Sequence, residues 1–279
     1  KAIASIVATC IEAHRFQYRA NMDIEKQIEE ANTRNEKANR ERTQFVALMS
    51  HELRTPVHHV VGFAEILRRS DQETLCPVDR SNYLDRIVDG GARLMRLTDS
   101  ALKFASAEFG VLPLNETSFS LETLVEDCVA AISAQSKKNA VTIKVKCDPC
   151  SLVTADLARC QQIVGECLSN AVKFSPDGGI VCISVRCAPD HASITIEDEG
   201  PGFEDPQDKS LFTPFASTGD HLDRRAEGVG LGLPLAYRLA RLHGADLIIA
   251  NRPEGGASVT LAFPAYRVSQ ANAAGARSA

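Results

Sequence analysis

The sequence lacks an apolar segment long enough to span a bilayer. The uncharged run at residues 2–11 has ten residues, whereas a membrane-spanning helix needs roughly 17–25. Ser5, Thr9, Glu12 and His14 dilute this region with polar groups, which favours a packing helix over the end of a membrane helix. A secretion signal is also missing, and position 1 is not Met. We therefore expect a cytoplasmic fragment of a longer protein, which as a whole is either soluble or membrane-anchored.

An excess of positive charge is absent too. The 279 residues carry a net charge of −5, with 44% hydrophobic and 24% charged residues. This balance argues against nucleic acid as a partner. The length predicts about two domains.

Regular cysteine spacing is the third absence. The nine cysteines are odd in number, and Cys147 and Cys150 form a lone CxxC without a second pair at zinc spacing. Cys167, Cys182 and Cys187 lie in apolar runs, where a thiol behaves as a small hydrophobe. The pattern predicts buried or surface thiols in a reducing compartment rather than a metal site.

The first 110 residues have the periodicity of helices. One seam alternates steps of four and three residues, which is the spacing of a coiled coil. A solvated charged helix and a parallel dimer helix that transmits strain are both compatible with this seam. The second is favoured, because the seam continues into the segment FVALMSHELRTPVHHVVGFAEIL at 45–67. The seam positions are 24, 28, 31, 35, 38, 42, 45 and 49, and Asn35 and Arg42 weaken it.

A break at 70–78 separates this helix from a second helical segment at 79–107. Two long helices with a short connection predict an antiparallel hairpin. Such a hairpin cannot bury its apolar stripe alone, and pairing of two copies into a four-helix bundle solves this problem. We therefore expect a homodimer. The apolar set of the second helix is Leu84, Ile87, Val88, Leu94, Leu97, Ala101, Leu102 and Phe104.

Beyond a linker at 109–119, helical and strand patterns alternate. Asp156 can cap the second of the helices that follow, and a loop rich in Pro, Gly and Asp covers 200–228. The pattern predicts an α+β fold with one mixed sheet and helices on one face, followed by a disordered tail. The predicted helices are 121–136, 157–173 and 231–242, and the predicted strands are 141–147, 152–155, 180–186, 192–197, 246–250 and 258–263.

Three polar groups share one face of the helix at 157–173. Glu166, Asn170 and Lys173 stand at positions i, i+4 and i+7. Mg²⁺ prefers a few oxygen ligands and keeps several waters, and a lysine ammonium neutralises phosphate charge. The face therefore suits a hydrated Mg²⁺ and phosphates, although a polar helix face without a ligand is an alternative.

Two glycine-rich segments follow. Asp198 ends an apolar strand before Gly200 and Gly202, where its carboxylate can accept a hydrogen bond from an adenine amino group; an ordinary Asp-Gly turn is the alternative. The segment GVGLGL at 228–233 opens a helix and offers N–H groups to phosphate. It does not follow a strand, which disfavours a dinucleotide-binding fold. Pro234 falls in the first turn, where its missing N–H is harmless.

Taken in order, these segments resemble one family. ECLSNAVKFSPDGG, DEGPGF, LFTPF and GVGLGL resemble the N, G1, F and G2 boxes of the ATP-binding domain of sensor histidine kinases, and HELRTP resembles the H box of the matching dimerisation and phosphotransfer domain. The resemblance covers residues 40–265, and GLGLPLAYRLARLHGA is similar to the α-proteobacterial cell-cycle kinases of the family. It implies a dimeric helical bundle followed by a Bergerat-type ATP-binding fold. The implied boundaries are 1–44 for a signalling helix, 45–110 for the phosphotransfer domain, 111–266 for the ATP-binding domain and 267–279 for a disordered tail.

The resemblance also implies roles for individual residues. His51 is expected to accept the phosphoryl group, Asn170 to bind Mg²⁺ with help from Glu166, Lys173 to lie near the phosphates, and Asp198 to hold the adenine. The lid at 205–227 carries Arg224 and Arg225, either of which can reach the γ-phosphate. Further residues are expected to shape the nucleotide pocket and anchor the lid, namely Gly200, Gly202, Phe212, Phe215, Gly228, Gly230, Leu231 and Gly232.

The segment at 45–67 fits these roles. At about 100° per residue, one apolar stripe forms and leaves His51 facing solvent, where neutral imidazole is available near pH 7. Glu52 can accept a hydrogen bond from one ring nitrogen or take its proton. Pro56 removes an amide from the helix ladder and predicts a bend one turn after His51. The stripe consists of Phe45, Leu48, Met49, Leu53, Pro56 and Val60.

The expected activity is autophosphorylation of His51 by Mg·ATP and transfer to an aspartate of a response regulator. Thr55, four residues after His51, implies phosphatase activity towards that regulator. His58 and His59 are expected to be solvated or packing residues, and an upstream sensor domain is expected in the full chain. An ATPase of the gyrase/Hsp90 kind and a non-catalytic nucleotide-binding scaffold are the alternatives.

Overall fold

The computed structural model describes residues 2–69, 76–109, 113–148, 152–188, 191–215 and 230–269. The chain divides into two compact units, residues 1–55 and residues 56–279. Within the described residues, no helix combines the length and the hydropathy needed to cross a bilayer.

The first helix, α1, covers Ala2–Arg69. Exposed ion pairs and hydrogen bonds from hydroxyl groups lie on its surface. Arg40 pairs with Glu36 at 3.6 Å, and Thr33 Oγ1 donates to the Glu29 carbonyl at 2.8 Å. Ile28 on the predicted seam is 54% exposed in the single chain, so the seam remains available to a second helix. The helix continues through Pro56, and the bend expected there stays a prediction.

The second helix, α2, covers Pro77–Phe109. Residues 70–75 of the break predicted before it lie outside the described residues. Helix α2 packs antiparallel against the last turns of α1. The rings of Phe63 and Tyr83 stack with centroids 5.6 Å apart. Gly90 lies so close to α1 that an added Cβ would stand 2.8 Å from Val60 Cγ2. The missing side chain at Gly90 therefore permits close packing of the two helices at this level.

A five-stranded sheet forms the centre of the region that follows. Its order is β2-β4-β5-β7-β6, with β2 and β4 parallel and the other neighbours antiparallel. One face is buried, because alternate residues such as Val181, Ile183, Ile194, Ile196 and Phe263 are at most 4% exposed. The predicted mixed sheet is therefore confirmed. Its strands are β2 Thr142–Cys147, β4 Ile180–Ala188, β5 His191–Glu197, β6 Asp246–Asn251 and β7 Ala257–Pro264.

Three helices cover the buried face of this sheet: α3 at Leu121–Lys138, α4 at Leu157–Phe174 and α5 at Gly232–Leu242. Ser120 caps α3 by accepting from the Glu122 amide at 3.2 Å. Asp156 caps α4 as predicted, accepting from the Arg159 amide at 3.1 Å. Among the described residues, the N-cap of α5, Leu231, makes no side-chain capping bond, so the amides of Gly232 and Leu233 are candidates for another acceptor.

A second, three-stranded sheet was not predicted. It has the order β1-β3-β8, built from Glu116–Ser120, Leu152–Asp156 and Val268–Ser269. The interpretation of 109–119 as a linker is wrong for β1, since its mostly polar sequence ETSFS carries no apolar alternation but pairs with β3 along its whole length. The predicted tail likewise begins too early, because residues 267–269 are ordered. Residues 270–279 lie outside the described residues.

Six cysteines within the described part of the chain are free thiols. Burial raises the pKa of the Cys128 thiol to about 11 and those of Cys160 and Cys167 to about 12. These three thiols therefore stay protonated and pack as small hydrophobes, which was predicted for Cys167. The expectation of a thiol is wrong at Cys187, which is disulfide-bonded.

A fully buried histidine joins α5 to the small sheet. His243 Nε2 accepts from the Asp156 amide at 3.3 Å, and Nδ1 lies 2.7 Å from the Leu239 carbonyl. This pairing requires the neutral tautomer with its proton on Nδ1. Arg267 donates from Nε to the His243 carbonyl and forms an ion pair with Glu116 at 2.9 Å. The His243 imidazole thus holds the end of α5 to β3, and the Arg267 guanidinium holds it to β1.

We predict that His243→Leu lowers the free energy of unfolding by about 1–3 kcal/mol, the cost of one unsatisfied buried polar group. The substitution leaves the Asp156 amide without its buried acceptor, whereas the Leu239 carbonyl still accepts from the backbone amide of residue 243 at 3.3 Å. Urea unfolding followed by circular dichroism measures the change. His58→Leu, an exposed site on α1, is the control, with an expected change within about 0.5 kcal/mol. A His243→Leu protein as stable as this control would contradict the assignment.

Candidate functional site

The first candidate group lies on α1. The His51 side chain is 75% exposed, and its Nδ1 stands 3.3 Å from Glu52 Oε1. The stripe predicted beside it is confirmed, because all six of its members are buried or partly buried while His51 is exposed. The imidazole is thus oriented by a carboxylate and open to solvent on its other nitrogen.

The polar residues that follow His51 have different surroundings. Thr55 is exposed one turn later. The His59 ring lies 6.4 Å from that of Phe63 in a tilted contact, and His58 is exposed. The contact of His59 agrees with the expectation of a packing residue.

The second group is built on α4. Glu166 and Asn170 are brought together with Gly232 at the start of α5. A Cβ added at Gly232 would lie 2.6 Å from Glu166 Oε2 and 3.9 Å from Asn170 Nδ2, so a side chain at this position would require the Glu166 carboxylate to move. Burial raises the pKa of the Glu166 carboxyl, and the positive charge of Lys103 on α2 opposes this effect.

Lys173 stands one turn further along α4. Its Nζ lies 4.6 Å from the ring centroid of Phe174, which is itself 44% exposed. A cation held over an aromatic face in this way keeps a defined position at the end of α4. The sequence analysis did not single out Phe174.

The third group surrounds Asp198, which is 6% exposed at the end of β5. Its Oδ1 accepts from the amides of Gly200 at 2.8 Å and Ala257 at 3.2 Å. Burial raises the pKa of this carboxyl, against the lowering effects of the two amides and of Arg252. Within the part of the chain that the structure describes, Oδ2 accepts no hydrogen bond, so one oxygen fixes the turn and the other is available to a ligand.

Close backbone approaches shape the same pocket. A Cβ at Gly200 would lie 2.7 Å from the Phe174 carbonyl, and a Cβ at Gly256 would lie 2.0 Å from the Asp198 carbonyl. Gly202 has a φ of +77° and lies against Asn251, which accepts from the Phe203 amide and donates to the Phe203 carbonyl. Asn251 and Gly256 were missed from the sequence, although the glycine pair at 255–256 was a readable signal.

The described part of the lid, residues 205–215, contacts α5 and the residue pair that precedes it. The ring of Phe212 stacks on that of Tyr237 with centroids 4.1 Å apart, and the Phe215 amide donates to the Gly230 carbonyl at 2.9 Å. Leu231 is buried. The structure therefore brings Phe212, Phe215 and Gly230 to one place, whereas Gly228, Arg224 and Arg225 lie outside the described residues.

The second and third groups adjoin each other, through the close approach of Gly200 to the Phe174 carbonyl at the end of α4. The α4 face, the α5 turn and the Asp198 loop offer a carboxylate, an amide oxygen, an ammonium and uncapped helix amides around glycines that admit close approach. Such a set can bind a phosphorylated ligand at one end and a hydrogen-bond donor at the other. In the part of the chain that the structure describes, three or more His, Cys, Asp or Glu residues do not cluster as metal ligands.

Comparisons with known proteins agree with this arrangement. Residues 41–110 match the family described as "His Kinase A (phospho-acceptor) domain". Residues 155–267 match "Histidine kinase-, DNA gyrase B-, and HSP90-like ATPase". The chain is 32% identical over 225 residues to the histidine protein kinase DivJ of Caulobacter vibrioides, in an alignment covering 80% of this chain and 37% of DivJ. The chain thus spans less than half the length of this relative.

Two solved structures share the fold. One is the histidine kinase ThkA in complex with the response regulator protein TrrA, with a TM-score of 0.64 and 21% identity, covering 79% of this chain and 61% of that chain. The other is full-length ShkA in complex with AMPPNP, with a TM-score of 0.59 and 24% identity, covering 82% of this chain and 47% of that chain. The predicted fold class, a helical hairpin followed by an α+β ATP-binding fold, is confirmed.

We predict that Asp198→Asn leaves the protein at least as stable as the wild type at pH 7. The raised pKa means that burial disfavours the ionised carboxyl in the folded state, while Asn keeps an oxygen for the Gly200 and Ala257 amides. The loss of stability that ionised Asp198 causes is complete at pH values above its raised pKa in the folded state. It disappears at pH values below the pKa of an unfolded aspartate, about 3.9. The stability of the wild type relative to Asp198→Asn should therefore rise as pH falls from 7 towards 4.

Urea unfolding at several pH values measures this difference. Asp85→Asn, at an exposed site on α2, is the matched control, and its difference from the wild type should vary less with pH. A wild type that loses stability relative to Asp198→Asn on acidification would refute the prediction.

Proposed function

This chain belongs to the histidine kinases, and we propose that it transfers the γ-phosphoryl group of Mg·ATP to His51 and then to an aspartate of a response regulator. The observation that carries the proposal is the presence, in one chain, of an exposed imidazole oriented by Glu52 and a pocket suited to a nucleotide. The proposed domains are the signalling helix at 1–44, the phosphotransfer domain at 45–110 and the ATP-binding domain at 111–266.

The chemistry at His51 follows from its hydrogen bond. With Nδ1 beside Glu52, the lone pair of Nε2 attacks the γ-phosphorus. The bond from this phosphorus to the bridging oxygen breaks, and its electrons leave with ADP. Glu52 either accepts a hydrogen bond from the Nδ1–H group or takes its proton. Both offset the positive charge that develops on the ring. Phosphoryl transfer depends mainly on such positioning and electrostatics.

ATP fits the pocket by its chemistry. Asp198 Oδ2 accepts from the adenine amino group, while Lys173 and the first amides of α5 meet the phosphates. The carboxylate of Glu166 and the amide oxygen of Asn170 are hard oxygen ligands, which suit a Mg²⁺ held also by phosphates and water rather than by a protein cage. When bound, Mg²⁺ neutralises charge on the phosphates. Phe212 and Phe215 anchor the lid, in which Arg224 and Arg225 are the candidates for contact with the γ-phosphate.

A homodimer is proposed from the surface of the helical hairpin. Three large apolar side chains on α2 recur at seven-residue spacing, a fourth stands four residues before them, and all four are exposed in a single chain, which is the pattern of a helix-pairing seam. Pairing of two copies into a four-helix bundle would bury them. These residues are Leu84, Val88, Met95 and Leu102 on α2, with Val57, Val61 and Ile66 on α1.

The partner of the phosphorylated protein is proposed to be a response regulator receiver domain. Among relatives of the same fold, ThkA has been solved together with a response regulator. Because DivJ is much longer than this chain, we also propose that an upstream sensor domain drives α1 in the full protein. Thr55 stands one turn beyond His51, where its hydroxyl can orient a water against the regulator's aspartyl phosphate.

We predict that His51→Ala abolishes incorporation of label from [γ-³²P]ATP, because the attacking nitrogen is lost, while ATP binding persists. His58→Ala is the matched control and should label as the wild type does. Asn170→Ala should also lose labelling, through loss of Mg·ATP. Acid-labile label on the protein, rather than free phosphate or bound nucleotide alone, separates a kinase from a gyrase/Hsp90-like ATPase and from a scaffold. Labelling of His51→Ala would overturn the proposal.

We predict that Thr55→Ala retains autophosphorylation but dephosphorylates the regulator at least about 100-fold more slowly, the usual scale for loss of a group that activates a nucleophile. Loss of regulator phosphate is followed over time with ADP present. Thr98→Ala, on α2, is the control. Unchanged dephosphorylation by Thr55→Ala would remove Thr55 from the mechanism.

A further inference from the structure

An ion pair joins the last turn of α2 to α5. The carboxylate of Glu108 contacts the guanidinium Nε of Arg238. The Glu108 side chain is only 12% exposed, whereas that of Arg238 is 41% exposed. The pair is therefore half-buried, and its carboxylate is the more strongly desolvated partner.

Glu108 occupies an unfavourable position for α2 taken alone. It stands one residue before the helix ends at Phe109, and the last turn of α2 contains no basic residue. The carbonyl groups at a helix C-terminus repel a negative charge, and burial adds to the cost of an unpaired carboxylate. The charge of Arg238 offsets part of this cost, and a residue that breaks a local rule in this way calls for a compensating role.

Arg238 belongs to the helix that begins the nucleotide pocket. It lies within the 11-residue helix α5, whose first residue, Gly232, fits against Glu166 with no space for a side chain. A short helix moves as one body, so a displacement at Arg238 also displaces Gly232. Lys103, also on α2, lowers the pKa of Glu166 by its positive charge. Helix α2 therefore acts on Glu166 through Lys103 and on Gly232 through Arg238.

We propose that Glu108 is a positioning residue of the nucleotide site, which holds α5 through Arg238 so that Gly232 stays against Glu166 and Asn170. The end of α2 thereby sets the affinity of the site for Mg·ATP. By linkage, a bound nucleotide strengthens the contact of α5 with α2 to the same degree. This inference rests on the proposed function, since it assumes that the pocket binds ATP.

Glu108→Gln is the direct test, because it removes the charge and keeps the shape. We expect the Kd of Mg·AMPPNP, measured by isothermal titration calorimetry, to rise about five-fold, the lower end of typical coupling between sites. The KM for ATP in autophosphorylation should rise with it, while kcat at saturating ATP stays unchanged. A merely structural role would lower the unfolding midpoint without this separation of KM from kcat.

Two further variants sharpen the test. Arg238→Gln should weaken binding as well, because it takes the guanidinium charge away from the desolvated carboxylate of Glu108. The Kd of the double variant should be close to that of Glu108→Gln, because the effects of two residues in direct contact do not add. Arg241→Gln is the matched control on α5: its pair with Asp246 at 2.7 Å is exposed, and such pairs contribute little, so its Kd should equal that of the wild type.

The outcomes separate the two proposals. A wild type that does not bind Mg·AMPPNP overturns the proposed function and the inference together. A wild type that binds, with Glu108→Gln binding equally well, overturns the inference alone. Additive effects of Glu108→Gln and Arg238→Gln in the double variant also overturn it.

Discussion

The desolvated carboxylate of Asp198 is the constraint on which the pocket depends. Its Oδ1 joins the end of β5 to the start of β7 and closes the turn at Gly200, and that turn in turn touches the end of α4. Strand, loop and helix are thus fixed by one side chain whose ionised form is disfavoured by burial. Such a group is retained at a cost in stability, which is the usual relation between a binding site and the fold around it.

The two chemical groups of the protein are built in opposite ways. His51 is presented by an exposed helix face with a single oriented neighbour, whereas the nucleotide pocket is assembled from glycines that allow backbone, carboxylate and helix end to approach closely. The first arrangement leaves the proposed nucleophile accessible to more than one phosphate donor or acceptor. The second imposes shape, because a side chain at Gly232 or Gly200 would collide with Glu166 or the Phe174 carbonyl.

Periodic features were predictable from the sequence, and long-range polar pairs were not. The stripe beside His51, the cap at Asp156 and the strands of the central sheet follow from spacing alone. Strand β1 has no apolar alternation, so only its partner β3 identifies it. His243 stands in a helical pattern like any surface histidine, and Glu108 and Arg238 are 130 residues apart in sequence. Nothing local distinguishes such residues, because their partners are chosen by tertiary folding.

Because α1 is one continuous helix, a rotation applied at its start can be transmitted along it to His51. From Ala2 to His51 the helix rises roughly 75 Å at about 1.5 Å per residue, and its amide ladder resists twisting along the way. A slip of one residue against any partner changes the phase of the helix by about 100°. For His51, which is exposed and lies outside the apolar stripe, such a step would turn the side chain towards the stripe or away from it, according to its direction. The angular position of the imidazole is therefore a quantity that a distant input can set without altering any bond near it.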